Sequence, residues 1–337
     1  MLVIRAGQVG DTAYASSIIE PLRTHYGPGV TIDWLGKTGI VRLFARDPRV
    51  RHIFEVDSRR MPLAFNPGKL RVLAHALHEP YDLAVNLELG DIFNGLMRLL
   101  PARRKVGMPY RYFAEPPEAH AVDNLKLIYA DFLPPEIVDT AAPSLCGTPA
   151  EEVRERLGLP QDYLVLVPAN SHLGRRRALN HRAWPPGHWR DLIRRLAGAG
   201  ETVVLAGGAS DRAFIESLGP FPAQVHNTAG RTDFPDLIGL IEGARAVVTT
   251  DTGPAHIAGA VNTPVIVLIG PTNPARTAPY ATPHNNVKIL RAGLPCSPCY
   301  HTPALGQCRH NRCMDAILPG EVAVSVLAIC TQKELAG

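Results

Sequence analysis

The chain has 337 residues, of which 46% are hydrophobic and 20% charged, and a formal net charge of +4 at pH 7. This length predicts two domains, and no apolar run reaches the roughly 18 residues that a membrane span needs. The mildly basic balance suits an anionic substrate or an acidic membrane surface and does not call for nucleic acid as a partner. Because the first apolar run meets Gly7, Gly10 and Asp11 and lacks a signal-peptide pattern, we expect a cytoplasmic protein.

Apolar runs alternate with amphipathic stretches in the first part of the chain, a pattern typical of parallel strands joined by helices. Strands are predicted at residues 2–4, 31–35, 52–56 and 81–87. Helices are predicted at residues 12–25, 39–45, 70–78 and 91–100. After Arg104 the pattern gives way to a Pro-rich stretch, and we expect the linker at about residues 140–160.

The alternation resumes after the linker. Strands are predicted at residues 164–168, 202–206, 246–250 and 264–269. Helices are predicted at residues 187–199, 211–217, 234–243 and 253–261, with a closing helix at 319–330. We therefore predict an α/β protein with two Rossmann-like domains, 1–150 and 151–337, which bind ligands in a cleft at the carboxyl ends of their strands.

The segment from Val247 to Ala260 predicts a buried strand that runs directly into a helix. Thr252, Gly253 and Pro254 stand at the first turn, where unpaired N–H groups and the helix dipole favour a phosphate. Pro at the first helical position supports this boundary. The alternative is that Asp251 or Thr252 is only an N-cap and that His256 is a packed helix residue.

A second strand-to-helix turn spans Arg5 to Asp11. Gly7 and Gly10 let the backbone approach a ligand closely and leave Asp11 at the start of the predicted helix. A carboxylate there can accept a proton from a sugar hydroxyl, and N-capping is the alternative. The full Gly-x-Gly-x-x-Gly fingerprint of a dinucleotide site is missing, which disfavours a nicotinamide oxidoreductase.

A third segment, which follows the strand at 164–168, carries amide, hydroxyl and guanidinium groups. Asn170 and Ser171 come first, then Arg175 to Arg177, and Arg182 precedes Trp184 by two residues. Guanidinium groups bind phosphate in a bidentate way. A solvated loop is the alternative for Arg175 to Arg177.

Four of the six cysteines form a loop over residues 296–313. The spacing is Cys296-x2-Cys299-x8-Cys308-x4-Cys313. Four thiolates can bind structural Zn or Fe tetrahedrally, with His301 and His310 as substitute ligands, and in a cytosolic protein a metal is more plausible than disulfides. Reduced structural thiols are the alternative.

Together the three segments resemble glycosyltransferase family 9, the heptosyltransferases that build the lipopolysaccharide inner core from ADP-heptose. The resemblance covers almost the whole chain and rests most specifically on Asp-Thr-Gly-Pro-x-His at Asp251 to His256. Weaker matches are the Gly-x-x-Gly-Asp turn, the basic residue before Trp-Pro, and Gly270 to Pro274 followed by Pro279 and Tyr280. The resemblance implies the GT-B fold, with the acceptor on the first domain and the nucleotide sugar on the second.

The resemblance also implies roles for individual residues. Asp11 resembles the catalytic base of an inverting transfer, with Gly10 beside it in the turn, and Arg182 resembles the cation that stabilises the leaving diphosphate. Arg182 departs from the family, which usually has Lys there, so the pocket geometry must differ. The implied donor contacts are Asp251, Thr252, Gly253 and His256, with Asn170 and Ser171 lining the same pocket and Ser210 and Thr232 near the base.

No cofactor is expected for catalysis. The expected partners are ADP-heptose and an acceptor glycolipid, with peripheral association at the inner face of the inner membrane. A protein or a small molecule is the alternative acceptor. Two further alternatives are a nucleotide-sugar epimerase on the same scaffold and a non-catalytic binding or assembly protein organised by a metal finger.

Overall fold

The computed structural model describes residues 1–113, 116, 118–170 and 180–336, with only the backbone for 332–336. Contacts between residues divide the chain into two units, Met1–Gly147 and Thr148–Gly337. We call them unit 1 and unit 2 and describe each by itself.

Unit 1 is built on a parallel sheet. Its strands are β1 (Leu2–Ile4), β2 (Ile32–Lys37), β3 (Val50–Val56), β4 (Tyr81–Asn86) and β5 (Ala102–Val106). They lie in the order β3-β2-β1-β4-β5, and Val3 of β1 stands between Trp34 and Val85. β2 and β3 follow β1 toward one edge of the sheet, whereas β4 and β5 extend the sheet from β1 toward the other edge. The direction of winding therefore switches between β1 and β4.

Helices connect these strands. They are α1 (Val9–Ala15), α2 (Ile19–Tyr26), α3 (Pro67–His78), α4 (Asn94–Leu99), α5 (Ala121–Tyr129) and α6 (Pro135–Asp139), with 3₁₀ turns at Ser16–Ile18, Ile40–Phe44 and Leu63–Phe65. The start of α3 shows how the sequence sets a boundary. The Asn66 side chain accepts the Lys69 N–H at 3.1 Å, and Pro67 occupies the first turn, where it loses no hydrogen bond.

The core of unit 1 lies between the sheet and its helices. Leu2, Ile4 and Leu35 from the central strands pack with Val72 of α3 and Leu96 of α4 in one cluster. All three residues of β1 are fully buried. Central strands of a parallel sheet are covered on both faces, which is why β1 reads as an uninterrupted apolar run.

Unit 2 repeats this plan with a larger sheet. Its strands are β6 (Leu164–Val167), β7 (Val203–Leu205), β8 (Val225–Asn227), β9 (Ala246–Thr250), β10 (Val265–Leu268) and β11 (Val287–Leu290). They are parallel and lie in the order β11-β10-β9-β6-β7-β8. The winding direction switches between β6 and β9.

The helices of unit 2 follow in chain order. They are α7 (Ala150–Leu157), α8 (Pro186–Gly198), α9 (Arg212–Glu216), α10 (Phe234–Glu242), α11 (Gly253–Ala260), α12 (Pro274–Thr277), α13 (Pro303–Gln307), α14 (Arg312–Asp315) and α15 (Pro319–Ala336), with a 3₁₀ turn at Ala209–Asp211. Two buried indole rings, Trp184 and Trp189, meet edge to face at 4.9 Å in the core. Trp184 also donates to the Ile317 carbonyl at 2.9 Å, which fixes the chain just before α8 to the start of the closing helix.

Two predictions about the middle of the chain are wrong. Residues 150–157 form α7, although they were expected in the linker, because Val153 and Leu157 are buried in unit 2. No helix was predicted in the Pro-rich stretch between Arg104 and the linker, yet it contains α5 and α6.

The strands that were not predicted all lie at sheet edges. They are β5, β8 and β11. An edge strand is covered less and keeps polar side chains, so its apolar pattern is weak. The cluster Arg103, Arg104 and Lys105 illustrates this, because it lies within β5, where Arg103 pairs with the exposed Asp82 at 3.1 Å.

Within the described part of the chain, no helix combines the length and the apolar character that crossing a membrane would require.

Candidate active site

In unit 1 the loops after β1 and β4 meet at the point where the winding switches. Arg5 Nη1 donates to the Leu87 carbonyl at 2.6 Å, and the Ala6 N–H donates to Glu88 Oε1 at 2.7 Å. Open α/β sheets bind ligands at such switch points, outside the carboxyl ends of the strands. The turn that carries Asp11 therefore lies where the fold favours a binding site.

Asp11 lies in the first turn of α1, which begins at Val9 and not at residue 12 as predicted. Its Oδ2 accepts the Gln8 N–H at 2.8 Å, and its Oδ1 lies 3.4 Å from Arg5 Nη2. The carboxylate thus caps the helix start from its third residue, whereas the N-cap residue is Gln8 and not Asp11 as the capping alternative proposed. Because 43% of the side chain is exposed, it also remains accessible to a substrate. Gly10, in the same turn, is half-buried.

Gly7 makes the space that the Asp11 side chain occupies. A Cβ atom on Gly7 would lie 2.4 Å from Asp11 Cβ and 2.6 Å from Asp11 Oδ2. Distances this short are excluded for non-bonded heavy atoms. The glycine is therefore needed here for a close approach of side chain to backbone.

Glu88 was not predicted from the sequence, although it lies two residues after the buried strand β4. Its side chain is 7% exposed, and its two oxygens serve different loops. Oε1 accepts from Ala6 N, and Oε2 lies 3.2 Å from Arg59 Nη1. Glu88 therefore ties the Asp11 turn to the loop that carries Arg59.

In unit 2 the predicted donor residues follow the carboxyl ends of parallel strands and so lie along one edge of the sheet. Asn170 follows β6 and Asp251 follows β9, the two strands at the switch point. Ser210 follows β7 and is exposed, and Thr232 lies between β8 and α10 and is half-buried. Ser171, like Arg175 to Arg177, lies outside the described residues.

The start of α11 has the expected position directly after β9, and Pro254 is in its first turn. Its N-cap residue is Thr252, whose side chain makes no cap hydrogen bond. The Thr252 hydroxyl instead contacts Thr249 Oγ1 at 3.1 Å and donates to the Thr250 carbonyl at 3.2 Å. The side chain of Thr252 therefore leaves the first turn of α11 open to an anion.

The side chains of Arg182 and His256 flank Asp251 beside this helix start. Arg182 Nη1 donates to the Asp251 carbonyl at 3.1 Å and lies 4.0 Å from its Oδ2. His256 Nε2 lies 3.9 Å from Asp251 Oδ1, and both of these side chains are less than 10% exposed. The buried carboxylate thus holds Arg182 and His256 next to the open end of α11.

Two residues that contact Arg182 or its neighbours were not predicted, Tyr300 and Asn311. The ring centroid of Tyr300 lies 5.3 Å from the Arg182 guanidinium carbon, and Asn311 donates to the chain on both sides of Arg182. Thr272 follows β10 and is 2% exposed, and its hydroxyl has no hydrogen-bond partner among the described residues. Buried Asn170 accepts from Asn180 Nδ2 at 2.7 Å.

The four cysteines of the loop 296–313 are free thiols. Burial, followed by the neighbouring cysteines, raises the pKa of Cys299 and of Cys313. Within the described residues, however, no three of the four sulfur atoms lie within 4.8 Å of one another. Four thiols of this kind have the donor chemistry of a structural Zn or Fe site.

The described residues contain one group of His, Cys, Asp or Glu whose ligand atoms all lie within 4.8 Å of one another, and it is in unit 1: Asp33, His52 and His75. Burial of Asp33 opposes its ionisation, but hydrogen bonds from Arg51 and Tyr81 outweigh burial and lower its pKa. Arg51 donates to both carboxylate oxygens, at 2.9 and 2.8 Å. Since a guanidinium already compensates the charge of Asp33, this group needs no metal ion.

Comparison with known proteins agrees with this arrangement. The chain is 28% identical over 325 residues to lipooligosaccharide heptosyltransferase 2 of Haemophilus influenzae, covering 87% of this chain and 90% of the relative. The fold is similar to that of E. coli ADP-heptose lipopolysaccharide heptosyltransferase II, with a TM-score of 0.76, 22% identity and 99% of each chain covered. It is also similar to an E. coli heptosyltransferase solved with ADP, with a TM-score of 0.70, 20% identity and coverage of 97% and 99%.

Two α/β units with parallel sheets, each with polar loops at its switch point, have the architecture of the GT-B fold. The model of one family, glycosyltransferase family 9 (heptosyltransferase), matches residues 116–310. Because that match spans more than half of the chain, the protein belongs to this family. The predicted family, fold class and enzyme class are confirmed.

Proposed function

We propose that the protein transfers a heptosyl group from ADP-heptose to a hydroxyl of a lipopolysaccharide core acceptor, with inversion at the anomeric carbon. The observation that carries the proposal is the Asp251–His256 segment at the switch point of unit 2, where Thr252 leaves α11 uncapped beside Arg182. Family membership favours transfer over the epimerase and over a non-catalytic binding protein. The names of the relatives favour a lipopolysaccharide over a protein or small-molecule acceptor.

Unit 2 supplies the donor half of the reaction in this proposal. The diphosphate of ADP-heptose accepts from the first-turn N–H groups of α11 and from Arg182. As the bond between the anomeric carbon and the phosphate oxygen breaks, ADP leaves with the electron pair and gains negative charge. Preorganised donors stabilise such developing charge more effectively than water does, because they need no reorientation.

Unit 1 supplies the proton acceptor. The acceptor hydroxyl oxygen forms the new bond to the anomeric carbon, and its proton passes to the Asp11 carboxylate. Attack from the face opposite the leaving diphosphate inverts the configuration. Arg5 and the Gln8 N–H hold Asp11, and Gly7 leaves room for it.

The acceptor contacts unit 1 in this proposal. A cavity of about 590 Å³ is lined by exposed Arg60, Met61 and Asp91 together with Leu63, Lys69 and Ile92. A cation beside apolar side chains suits an acceptor that joins anionic sugars to a lipid. Such a lipid would place the enzyme at the cytoplasmic face of the inner membrane, as a peripheral protein.

The experiment that tests the proposal compares Asp11→Asn and Arg182→Ala with the wild type, using ADP-heptose and a lipopolysaccharide acceptor that lacks the heptose. Asp11→Asn should lower kcat by about 10²- to 10⁴-fold, the typical contribution of general base catalysis, and keep ADP affinity within about twofold. Arg182→Ala should weaken ADP binding. Product must form only when acceptor is present, and release of free epimerised sugar without acceptor would reject the proposal.

We also propose that Cys296, Cys299, Cys308 and Cys313 hold a structural Zn or Fe ion. The support is the spacing of four free thiols within one short loop and the preference of both metals for thiolate ligands. Elemental analysis should find about one metal per chain, reduced in a Cys296→Ser/Cys299→Ser variant. A wild-type protein purified with neither metal, and with unchanged melting temperature on adding Zn or Fe(II), would contradict the idea.

A further inference from the structure

We infer that the cysteine-rich loop 296–313 positions Arg182 for the donor diphosphate, and that Tyr300 and Asn311 are the positioning residues. The inference rests on the proposed role of Arg182 in donor binding. It gives this loop a function in the reaction that metal binding alone does not provide.

The first contact is between Tyr300 and the guanidinium of Arg182. The Arg182 Cζ atom lies 5.3 Å from the Tyr300 ring centroid, within the distance at which an aromatic face attracts a cation. The Arg182 side chain is 20% exposed, so the contact is largely shielded from water. With the Asp251 carbonyl at 3.1 Å, the ring fixes where the guanidinium lies.

The second contact holds the backbone that carries Arg182. Residues 181 and 182 form a turn outside any strand or helix, closed by the Ala183 N–H, which donates to the Asn180 carbonyl at 2.9 Å. Asn311 Nδ2 donates to the Ala183 carbonyl at 3.0 Å and to the Asn180 carbonyl at 3.4 Å, on either side of Arg182. Asn311 has a φ of +47°, a left-handed conformation that Asn tolerates better than most residues.

The loop can position Arg182 because it is itself anchored to the same edge of the sheet. The N–H groups of Cys299 and Tyr300 donate to the Pro271 carbonyl at 2.8 and 2.9 Å. Pro271 lies just beyond β10, the strand next to β9. At Gly270 a Cβ atom would lie 2.6 Å from Met314 Sδ and 2.9 Å from Cys313 Sγ, so the loop packs directly on the strand end.

The consequence is preorganisation of the donor site. An Arg side chain has several rotatable bonds, and binding a diphosphate requires one conformation. If Tyr300 and Asn311 hold that conformation in the free enzyme, the donor pays less entropy on binding. Their loss should therefore raise the ADP dissociation constant and the donor KM more than it lowers kcat.

The test measures ADP binding by calorimetry in Tyr300→Ala, Tyr300→Phe and Asn311→Gly, the last of which keeps the left-handed backbone. Tyr300→Ala should weaken ADP binding about threefold to tenfold, the range expected for loss of a partly desolvated cation–π contact. Tyr300→Phe keeps the ring and should bind ADP within about twofold of the wild type. Asn311→Gly should weaken binding by a similar factor to Tyr300→Ala.

A double-mutant cycle separates positioning from general destabilisation. In an Arg182→Ala background, Tyr300→Ala should have no further effect on ADP binding, because the side chain that it positions is gone. An equal loss in both backgrounds would overturn the inference. If Tyr300→Ala fails to fold, Tyr300→Leu takes its place in the double-mutant cycle, because Leu removes the aromatic face but fills much of the same volume.

Failure of the inference is distinguishable from failure of the proposed function. If Arg182→Ala binds ADP as tightly as the wild type, the donor role of Arg182 is wrong. If Arg182→Ala weakens ADP binding but Tyr300→Ala and Asn311→Gly do not, that role stands and the positioning role of the loop is wrong.

Discussion

Arg5 connects the carboxylate of Asp11 to the neighbouring strand end. Its Nη2 lies 3.4 Å from Asp11 Oδ1, while its Nη1 donates to the Leu87 carbonyl at 2.6 Å. The guanidinium thus bridges the loops after β1 and β4. Its position sets the orientation of the proposed base without any need for Arg5 to contact substrate.

Replacing Arg5 should lower turnover and leave donor binding unchanged. In Arg5→Met we expect kcat to fall about threefold to tenfold, because a partly exposed ion pair contributes about 1 kcal/mol and a tenfold change corresponds to about 1.4 kcal/mol. Arg5→Lys keeps the positive charge but loses the two-pronged guanidinium geometry. Its kcat should therefore lie between those of Arg5→Met and the wild type. Steady-state kinetics and ADP calorimetry provide the measurements. Loss of ADP affinity together with kcat would contradict a role confined to Asp11.

The lack of a side chain at Gly7 should matter for catalysis more than for folding. In Gly7→Ala the new methyl group collides with Asp11, so the carboxylate must move and kcat should fall about tenfold or more, as expected for a misplaced catalytic group. The matched control is Gly29→Ala, since a Cβ at Gly29 would meet no heavy atom within 4 Å. Kinetics of both variants, with melting temperatures, decide the matter. Full activity of Gly7→Ala would show that the position of Asp11 is not critical.

The buried carboxylate of Asp33 should contribute a pH-dependent part of the stability of unit 1. Its folded pKa lies below the value of about 3.9 for an unfolded Asp, so the contribution is complete above about pH 4 and is lost as the pH falls through the folded pKa. Asp33→Asn should therefore lower the free energy of unfolding by about 2 kcal/mol at pH 7, since it removes the buried carboxylate that Arg51 binds and leaves Arg51 only its ion pair with the exposed Glu79. The difference in free energy of unfolding between Asp33→Asn and the wild type should become smaller below about pH 4.

Denaturant titrations followed by circular dichroism between pH 3 and pH 7 measure this difference. Asp82→Asn is the control, because Asp82 and Arg103 form an ion pair with side chains 72% and 86% exposed. Exposed pairs contribute little, so this variant should unfold like the wild type at each pH. An Asp33→Asn effect that stays constant down to pH 3 would show that ionisation of Asp33 is not its cause.

The packing of α10 on the start of unit 2 predicts the effect of a single methyl group. A Cβ at Gly239 would lie 2.0 Å from the Thr148 carbonyl oxygen, a backbone atom that cannot rotate away. Gly239→Ala should destabilise unit 2 by about 3 kcal/mol, within the range for overpacking. A Cβ at Gly198 in α8 would meet no heavy atom within 4 Å. Gly198→Ala should therefore raise the free energy of unfolding of unit 2 by about 0.5 kcal/mol. Thermal unfolding of the two variants compares them directly, and equal melting temperatures would refute the packing argument.

The central strands and most connecting helices were predictable because their residues carry a local pattern. β1 and β9 match their predicted bounds, and α8, α10 and α11 differ from theirs by one residue at each end or less. Three of the four edge strands, β5, β8 and β11, were missed because an edge strand is covered less and its apolar pattern is weak, whereas the edge strand β3 was predicted. In α7 the charged residues Glu151 to Arg156 hide a buried face made only by Val153 and Leu157, so the segment resembled a linker.

The site was predictable only where a strand-to-helix turn carried its own signature. Asp11 and the Asp251–His256 segment stand at such turns, where Gly, Pro and a polar residue follow an apolar run. Arg5, Glu88, Tyr300 and Asn311 have no local signature, because each acts through a partner far away in the sequence. Arg5 and Leu87, for example, are 82 residues apart and meet only because β1 pairs with β4.

The sequence by itself determined the alternation of strands and helices, the turns that carry Asp11 and Asp251, and the resemblance to family 9. These follow from residue periodicity and from short motifs, which are properties of neighbouring residues. Only the tertiary structure decided which loops meet: strand order brings Glu88 to Ala6, and packing of the cysteine-rich loop brings Tyr300 to Arg182. Strand order depends on the summed burial of the whole sheet, so no local stretch of sequence encodes it.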